Sequence, residues 1–185
     1  MAATSVSLCV FCGSRPGADP AYVAAAQALG AGLGARGWRL VYGAGDVGLI
    51  GEVARASIEA GADTFGVIPE HLVRMEVGKV DLGKYIVTET MHERKKVMFM
   101  NANAIAILPG GAGSLDEFFE VLTWAQLGLH GKPIVLIDIA GYWQPLVTLI
   151  EHVIEQGFAA ASLRDLFDVT PDVESALAHV EKTLA

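Results

Sequence analysis

An α/β fold built on a doubly wound parallel sheet of about six to seven strands, in three layers, is what this sequence predicts. Three observations carry the prediction. Strand-length apolar runs alternate with helical patterns from one end of the chain to the other. The runs are continuously apolar, without the alternation of a sheet with one wet face, as expected of parallel strands covered on both sides. The glycine-rich and charged segments directly follow strands, and Rossmann-like sheets bind ligands outside the carboxyl ends of their strands.

The first strand is expected over residues 6–11 and ends in the turn Cys12-Gly13-Ser14-Arg15-Pro16-Gly17. A helix follows over 22–36. The strand over 39–42 runs into Gly43-Ala44-Gly45-Asp46-Val47-Gly48 and a helix over 49–60. The third strand, 64–68, leads into the least regular stretch, 69–83, which reads as a lid or a surface excursion. A fourth strand at 85–88 precedes a helix over 91–102. The fifth, 104–108, feeds a glycine-rich turn and a helix over 115–127. A strand over 134–137, a helix over 142–156, a short strand near 167–169 and a helix over 172–184 complete the pattern. No repeat, low-complexity tract or domain-sized linker interrupts it, so residues 1–185 are expected to form a single α/β domain.

Composition narrows the function classes. Hydrophobic residues make up 52% of the chain and charged ones 18%, so burial can offset the entropy of ordering and a disordered chain is excluded. The net charge of −8 and pI near 5.0 argue against nucleic acid as a partner, because a long polyanion needs a basic face. A small anion remains compatible, since backbone amides and one or two cations hold it locally. No segment reaches the roughly 18 uninterrupted apolar residues of a membrane span, and the first residues lack a basic targeting region. A cytoplasmic protein that engages no membrane is expected.

Cys9 and Cys12 form a C-x-x-C pair, but an odd spacing along a strand sends the two side chains to opposite faces. Buried structural cysteines are therefore expected, not a redox pair or zinc ligands. The five histidines show no metal-ligand spacing. No metal and no cofactor are expected.

Four segments carry the candidate chemistry. In the first turn, Gly13 allows close backbone approach, Ser14 offers a hydroxyl and Arg15 a cation. The second, 43–48, satisfies G-x-G-x-x-G and opens a helix, where amides can cradle phosphate. It follows the second strand, whereas a dinucleotide fingerprint belongs to the first, so an NAD-linked oxidoreductase is a minor alternative. The third, Pro109-Gly110-Gly111-Ala112-Gly113-Ser114-Leu115-Asp116-Glu117, suits an anion but lacks the G-K-[ST] ending of a nucleoside triphosphatase. Ser114 and Glu117 also fit a capping box, which alone would explain the carboxylate. The fourth is Thr90-Met91-His92-Glu93-Arg94-Lys95-Lys96. Thr90 and Glu93 make another capping box, and the basic cluster is either a solvated face or an inward Arg94 that grips a phosphate, ribose or carboxylate.

Taken together, these motifs resemble the Lonely Guy family of cytokinin riboside 5′-monophosphate phosphoribohydrolases, whose bacterial members are often labelled lysine decarboxylases. The family's P-G-G-x-G-T-x-x-E signature corresponds to residues 109–117, its H-E-R-K motif to 92–95 and its G-G-G-x-x-G-L-M-G loop to 43–51. The C-G-S turn and Thr123-Trp124-Ala125-Gln126-Leu127-Gly128 are similar as well. The resemblance implies a nucleotide-binding domain that hydrolyses AMP, or an N⁶-modified AMP, to free base and ribose 5-phosphate, without a cofactor. It implies that Arg94 and Glu117 are the catalytic pair. Substrate binding falls to Ser14, Arg15, Gly43, Gly45, Gly48, Met91, Lys95, Pro109, Gly110, Gly111, Gly113 and Ser114. It also implies a homodimer or larger homo-oligomer with sites near a subunit interface. Met91, Trp124 and the 69–83 stretch either line the base pocket or serve packing.

Three positions depart from the family pattern: Ala44 for a glycine, Ile50 for a methionine and Ser114 for a threonine. None removes a catalytic group, and Ala44 demands a negative φ or carries strain. A pyridoxal enzyme would need a Schiff-base lysine with partners for the phosphate and pyridinium, and no lysine here suggests one. The rival to an enzyme is a non-catalytic nucleotide-binding protein that uses the same loops.

Overall fold

The computed structural model describes residues 6–73 and 84–185. Its strands are β1 (Ser7–Phe11), β2 (Arg39–Tyr42), β3 (Asp63–Pro69), β4 (Lys84–Thr88), β5 (Ala104–Ile107), β6 (Ile134–Ile137) and β7 (Asp168–Thr170). They form one seven-stranded sheet in the order β4-β3-β2-β1-β5-β6-β7. Every pairing is parallel. The helices are α1 (Pro20–Ala35), α2 (Gly48–Glu59), α3 (Glu70–Val73), α4 (Met91–Met100), α5 (Ala112–Gln126), α6 (Gln144–Glu155) and α7 (Val173–Leu184). The doubly wound three-layer architecture is the expected one.

Strand parity divides the core. Leu8, Val10 and Cys12 face one side, with Leu29 and Leu33 of α1, Val53 of α2 and Leu177 of α7. Cys9 and Phe11 face the other, with Met98 of α4, Phe118 and Leu122 of α5 and Ile150 of α6. Both cysteines are free and buried, and burial pushes both thiols up from their ordinary range, with Glu117 adding to the effect. They sit on opposite faces, as their spacing requires. The strand order reverses between β1 and β5, so a crevice opens there at the carboxyl edge. Among the described residues no helix is long and apolar enough to cross a membrane.

Several boundaries differ from the sequence expectation, each for a local reason. The α1 helix begins before residue 22 because Asp19 accepts the Ala21 amide at 2.8 Å and Pro20 supplies a preset φ at the first turn. The α6 helix begins after residue 142 because a 3₁₀ turn (Ile139–Gly141) intervenes, with Ala140 at φ +54°. The stretch expected to be irregular opens with Pro69, the last residue of β3, followed by the short α3. The rest of that stretch, including Lys79, and residues 1–5 lie outside the described residues. A 3₁₀ segment (Ala161–Leu166) was not anticipated.

Candidate active site

Three of the glycine-bearing loops meet at the reversal point. The Gly13 amide donates to the Pro109 carbonyl at 3.0 Å, and the Leu49 amide donates to the Gly13 carbonyl at 3.0 Å. A Cβ at Gly48, whose φ is +59°, would lie 2.3 Å from the Ser14 carbonyl carbon, and one at Gly110 would lie 2.0 Å from the Ser114 Oγ. These two positions need glycine because the Ser14–Arg15 backbone, at Gly48, and the Ser114 side chain, at Gly110, lie where a side chain would start. The result is a cleft of about 360 Å³ between the loops after β1 and β5. Ser14, Arg15, Leu49, Pro109, Gly110 and Gly111 line it, together with Tyr22 and Tyr142. Ser14 and Arg15 are exposed there.

Gly111 is the N-cap of α5 and its cap makes no side-chain hydrogen bond. The helix starts at Ala112, ahead of residue 115, so Ser114 lies inside the first turn instead of capping it. The capping box proposed for Ser114 and Glu117 does not form. With three glycines and an alanine at its mouth, this helix leaves its first amides without a side-chain partner among the described residues, the arrangement that favours an anion. Gly113 stands in open space, and Ser114 is buried against Gly110.

The second capping box does form. Thr90 Oγ1 accepts the Glu93 amide at 3.2 Å and Glu93 Oε2 accepts the Thr90 amide at 3.2 Å. It fixes the start of α4 so that the next residue, Arg94, points inward and is buried. Arg94 Nε donates to the Val67 carbonyl of β3 at 3.1 Å, and Nη2 donates to the Gly43 carbonyl at 3.2 Å. The guanidinium therefore ties α4 to the ends of β2 and β3. Met91 Sδ lies 3.9 Å from its Nη1, which puts Met91 beside the catalytic candidate.

Glu117 lies one turn along α5 from Ser114, half-buried, and its carboxylate accepts no hydrogen bond among the described residues. Burial raises its pKa to about 7. The Arg94 guanidinium opposes that rise, and the neighbouring Asp116 adds to it. A carboxyl poised near neutrality beside a buried cation is suited to exchange a proton or to face a developing positive charge. Arg94 and Glu117 interact through space and form no ion pair within 4.0 Å. Lys95 is engaged elsewhere: its Nζ meets Asp116 at 3.0 Å and Glu120 at 2.5 Å, pinning α4 to α5. Lys96 is exposed. Trp124 packs edge-on against Phe99 at 5.0 Å, in the seam between those helices.

The 43–48 loop has a bracing role in this arrangement. Gly43 supplies the carbonyl that Arg94 grips, Gly45 is buried near Ile50, and Gly48 receives the backbone of Ser14 and Arg15. Ala44 adopts φ +52°, the left-handed region, so the strain anticipated for this departure is present. Its Cβ occupies space that any residue larger than glycine at position 66 would claim. Ala44→Gly is expected to raise stability by about 1 kcal/mol, because a left-handed L-residue costs roughly that much. Chemical denaturation of both proteins checks this, and an unchanged or lowered midpoint would show that the Cβ contacts outweigh the strain.

Tyr22 and Tyr142 were not singled out from sequence. Tyr142 lies in the loop after β6, so the rule that binding segments follow strands covered it, but the segment lacks the glycine-rich pattern of the others. Of the described lysines, Lys95 is ion-paired, and Lys132 donates to the Phe99 and Ala102 carbonyls at 2.6 and 2.7 Å, closing the end of α4. Neither is free to form a Schiff base, and Lys84, Lys96 and Lys182 are exposed.

Residues 50–180 match the family described as "Possible lysine decarboxylase". The chain is 40% identical over 179 residues, 97% of its length and 78% of the relative's, to a probable cytokinin riboside 5′-monophosphate phosphoribohydrolase, LOG4, of Oryza sativa subsp. japonica. It is also 40% identical over 178 residues, 96% of its length and 90% of the relative's, to the cytokinin riboside 5′-monophosphate phosphoribohydrolase of Rhodococcoides fascians. Among solved structures, the molybdenum cofactor carrier protein of Chlamydomonas reinhardtii superposes with a TM-score of 0.74 at 24% identity, over 98% of this chain and 99% of that one. That likeness concerns the fold alone.

Proposed function

Because this chain belongs to the family of the cytokinin riboside 5′-monophosphate phosphoribohydrolases, we propose that it hydrolyses the N-glycosidic bond of AMP or an N⁶-modified AMP. The observation that carries the reading is a buried Arg94 whose charge acts on a half-buried, near-neutral Glu117, carried on α5, the helix whose preceding glycines, Gly110 and Gly111, line the cleft. Residues 1–185 act as one nucleotide-binding domain in this reading.

The 5′-phosphate sits at the first turn of α5, on the amides of Gly110, Gly111, Gly113 and Ser114, with the Ser14 hydroxyl and Arg15 at the rim. Binding energy from that remote group orients the ribose over the catalytic pair. As the bond from C1′ to the base nitrogen lengthens, its electron pair leaves with the base and C1′ gains oxocarbenium character. The Glu117 carboxylate stabilises that charge and takes a proton from the attacking water. The water oxygen bonds to C1′, giving ribose 5-phosphate; the departing base takes one proton from solvent, and Glu117 returns to solvent the one it took from the water. Arg94, anchored on the Val67 and Gly43 carbonyls, acts on Glu117 through its charge and either holds the nucleotide in register or stabilises the departing base.

The direct test incubates the purified protein with AMP and with N⁶-isopentenyl-AMP and quantifies free base and ribose 5-phosphate by chromatography. Equimolar release of the two products is expected, and the ratio of rates gives the preference for the N⁶ substituent. Binding of both nucleotides without release would instead identify a non-catalytic nucleotide-binding protein.

The homodimer belongs to the same proposal. Met100 and Leu129, each 68% exposed, border a groove between α4 and α5 that also contains Phe99 and Trp124. An apolar groove of this kind, flanking the helices that carry Arg94 and Glu117, suits a second copy of the chain. Light scattering is expected to give at least twice the chain mass of 19.5 kDa. A monomeric mass at micromolar concentration would remove the dimer.

A further inference from the structure

Three successive carbonyls at the mouth of α5 are occupied. Pro109 O accepts the Gly13 amide at 3.0 Å, Gly110 O accepts the Tyr142 hydroxyl at 2.6 Å, and Gly111 O accepts the Leu115 amide at 3.1 Å. Two of these donors are backbone groups, supplied by the fold itself. The third is a side chain reaching across from the loop after β6. We infer that Tyr142 is a positioning residue for the phosphate end of the substrate, holding the Gly110 carbonyl so that an anion in the cleft meets amide donors only. The inference rests on the proposed binding of a nucleoside 5′-monophosphate in this cleft.

The Gly110–Gly111 pair is where the chain most needs such a hold. Two adjacent glycines have wide conformational freedom, and the peptide between them is a rigid plane, so turning its carbonyl turns its N–H as well. A Gly110 carbonyl without a donor would present a partial negative charge to the cleft and repel a phosphate. The Tyr142 hydroxyl takes up that charge and fixes the plane.

Tyr142 is itself held in place. Asp138 accepts the Trp143 amide at 2.6 Å, and the buried Trp143 donates its Nε1 to the Ile107 carbonyl at the end of β5 at 3.3 Å. The Tyr22 ring packs edge-on against Tyr142 with centroids 5.6 Å apart. The loop after β6 therefore grips the β5–α5 junction at two carbonyls, Ile107 and Gly110, on either side of Pro109. Preorganisation of this kind lowers the cost of ordering the site when ligand binds.

The test is Tyr142→Phe, which deletes the hydroxyl and keeps the ring against Tyr22. Binding of ribose 5-phosphate and of AMP is measured by calorimetry, and kcat and KM for base release are measured separately. The variant is expected to weaken both ligands about three- to tenfold, the net worth of one hydrogen bond, and to raise KM alike while kcat stays within about twofold. Affinities within twofold of the parent, or a loss confined to kcat, would overturn the positioning role. A parent protein that binds no ribose 5-phosphate would overturn it as well. Weakened binding in Tyr142→Phe, with no base released by the parent, would uphold Tyr142 and overturn the hydrolase reading instead.

Discussion

Glu117→Gln is expected to lower kcat for base release by about 10²–10⁴-fold, the span a single positioned acid–base group supplies. Gln keeps the shape of the side chain and loses only the charge and the proton-accepting oxygen. In the parent, kcat/KM should rise with pH through the neighbourhood of 7, where the carboxyl ionises, and that limb should vanish in the variant. Stability should move the opposite way. The folded-state pKa is raised from 4.5 to about 7, so the folded protein binds the proton more tightly than the unfolded chain. The stabilising contribution is full below about pH 4.5 and is lost as pH climbs through 7. Gln does not titrate, so the variant should gain on the parent above pH 7 and show no such gain below pH 4.5. At about 1.4 kcal/mol for each tenfold change in proton affinity, the gain is at most about 3 kcal/mol. Melting curves at pH 4.5 and 8 read this directly. Turnover retained within tenfold would take Glu117 out of the chemistry, and equal melting differences at both pH values would contradict its buried, near-neutral state.

Gly43→Ala should be nearly as damaging, although it touches neither catalytic candidate's own chemistry. A Cβ at position 43 would lie 1.7 Å from Arg94 Nη2 and 2.8 Å from its Cζ. The guanidinium is not a free end that can swing aside, because its Nε is bonded to the Val67 carbonyl. Either Arg94 leaves its seat or the 43–45 backbone retreats, and a misplacement near 1 Å is enough to cost about 10²-fold in rate. A kcat loss of at least that size is expected. Gly131→Ala serves as the control, since a Cβ there meets nothing within 4 Å. Arg94→Lys should also lose rate, because an ammonium cannot reproduce the planar fork that spans two carbonyls. Full activity in Gly43→Ala would mean that the seat of Arg94 has no part in turnover.

The sheet was legible because its evidence is local. Continuous runs such as Ile134-Val135-Leu136-Ile137 read as buried parallel strands on their own, and β2 and β6 have the expected boundaries. The turns after β1, β2 and β5 announced themselves through glycine. Thr90 and Glu93 were correctly read as a capping box, since both partners lie within one turn. The same pattern at Ser114 and Glu117 misled, because the helix starts at Ala112. Where a helix begins depends on what holds its first turn, and here that is the Gly110–Ser114 contact and the crossing of the β1 loop.

What the sequence determined by itself, then, was the strand and helix order, the separation of Cys9 from Cys12, and the residue types at the site with the family they resemble. Periodicity and short-range spacing encode those features. Only the tertiary structure decided which way Arg94 points, that Lys95 is spent on Asp116 and Glu120, and that Ala44 sits at positive φ. It alone brought Tyr142 to Gly110. These outcomes depend on contacts between segments distant in the chain, and the donor that completes each contact carries no mark in its local sequence. A tyrosine after β6 looks like any surface aromatic until the parallel pairing of β5 with β6 sets their loops side by side.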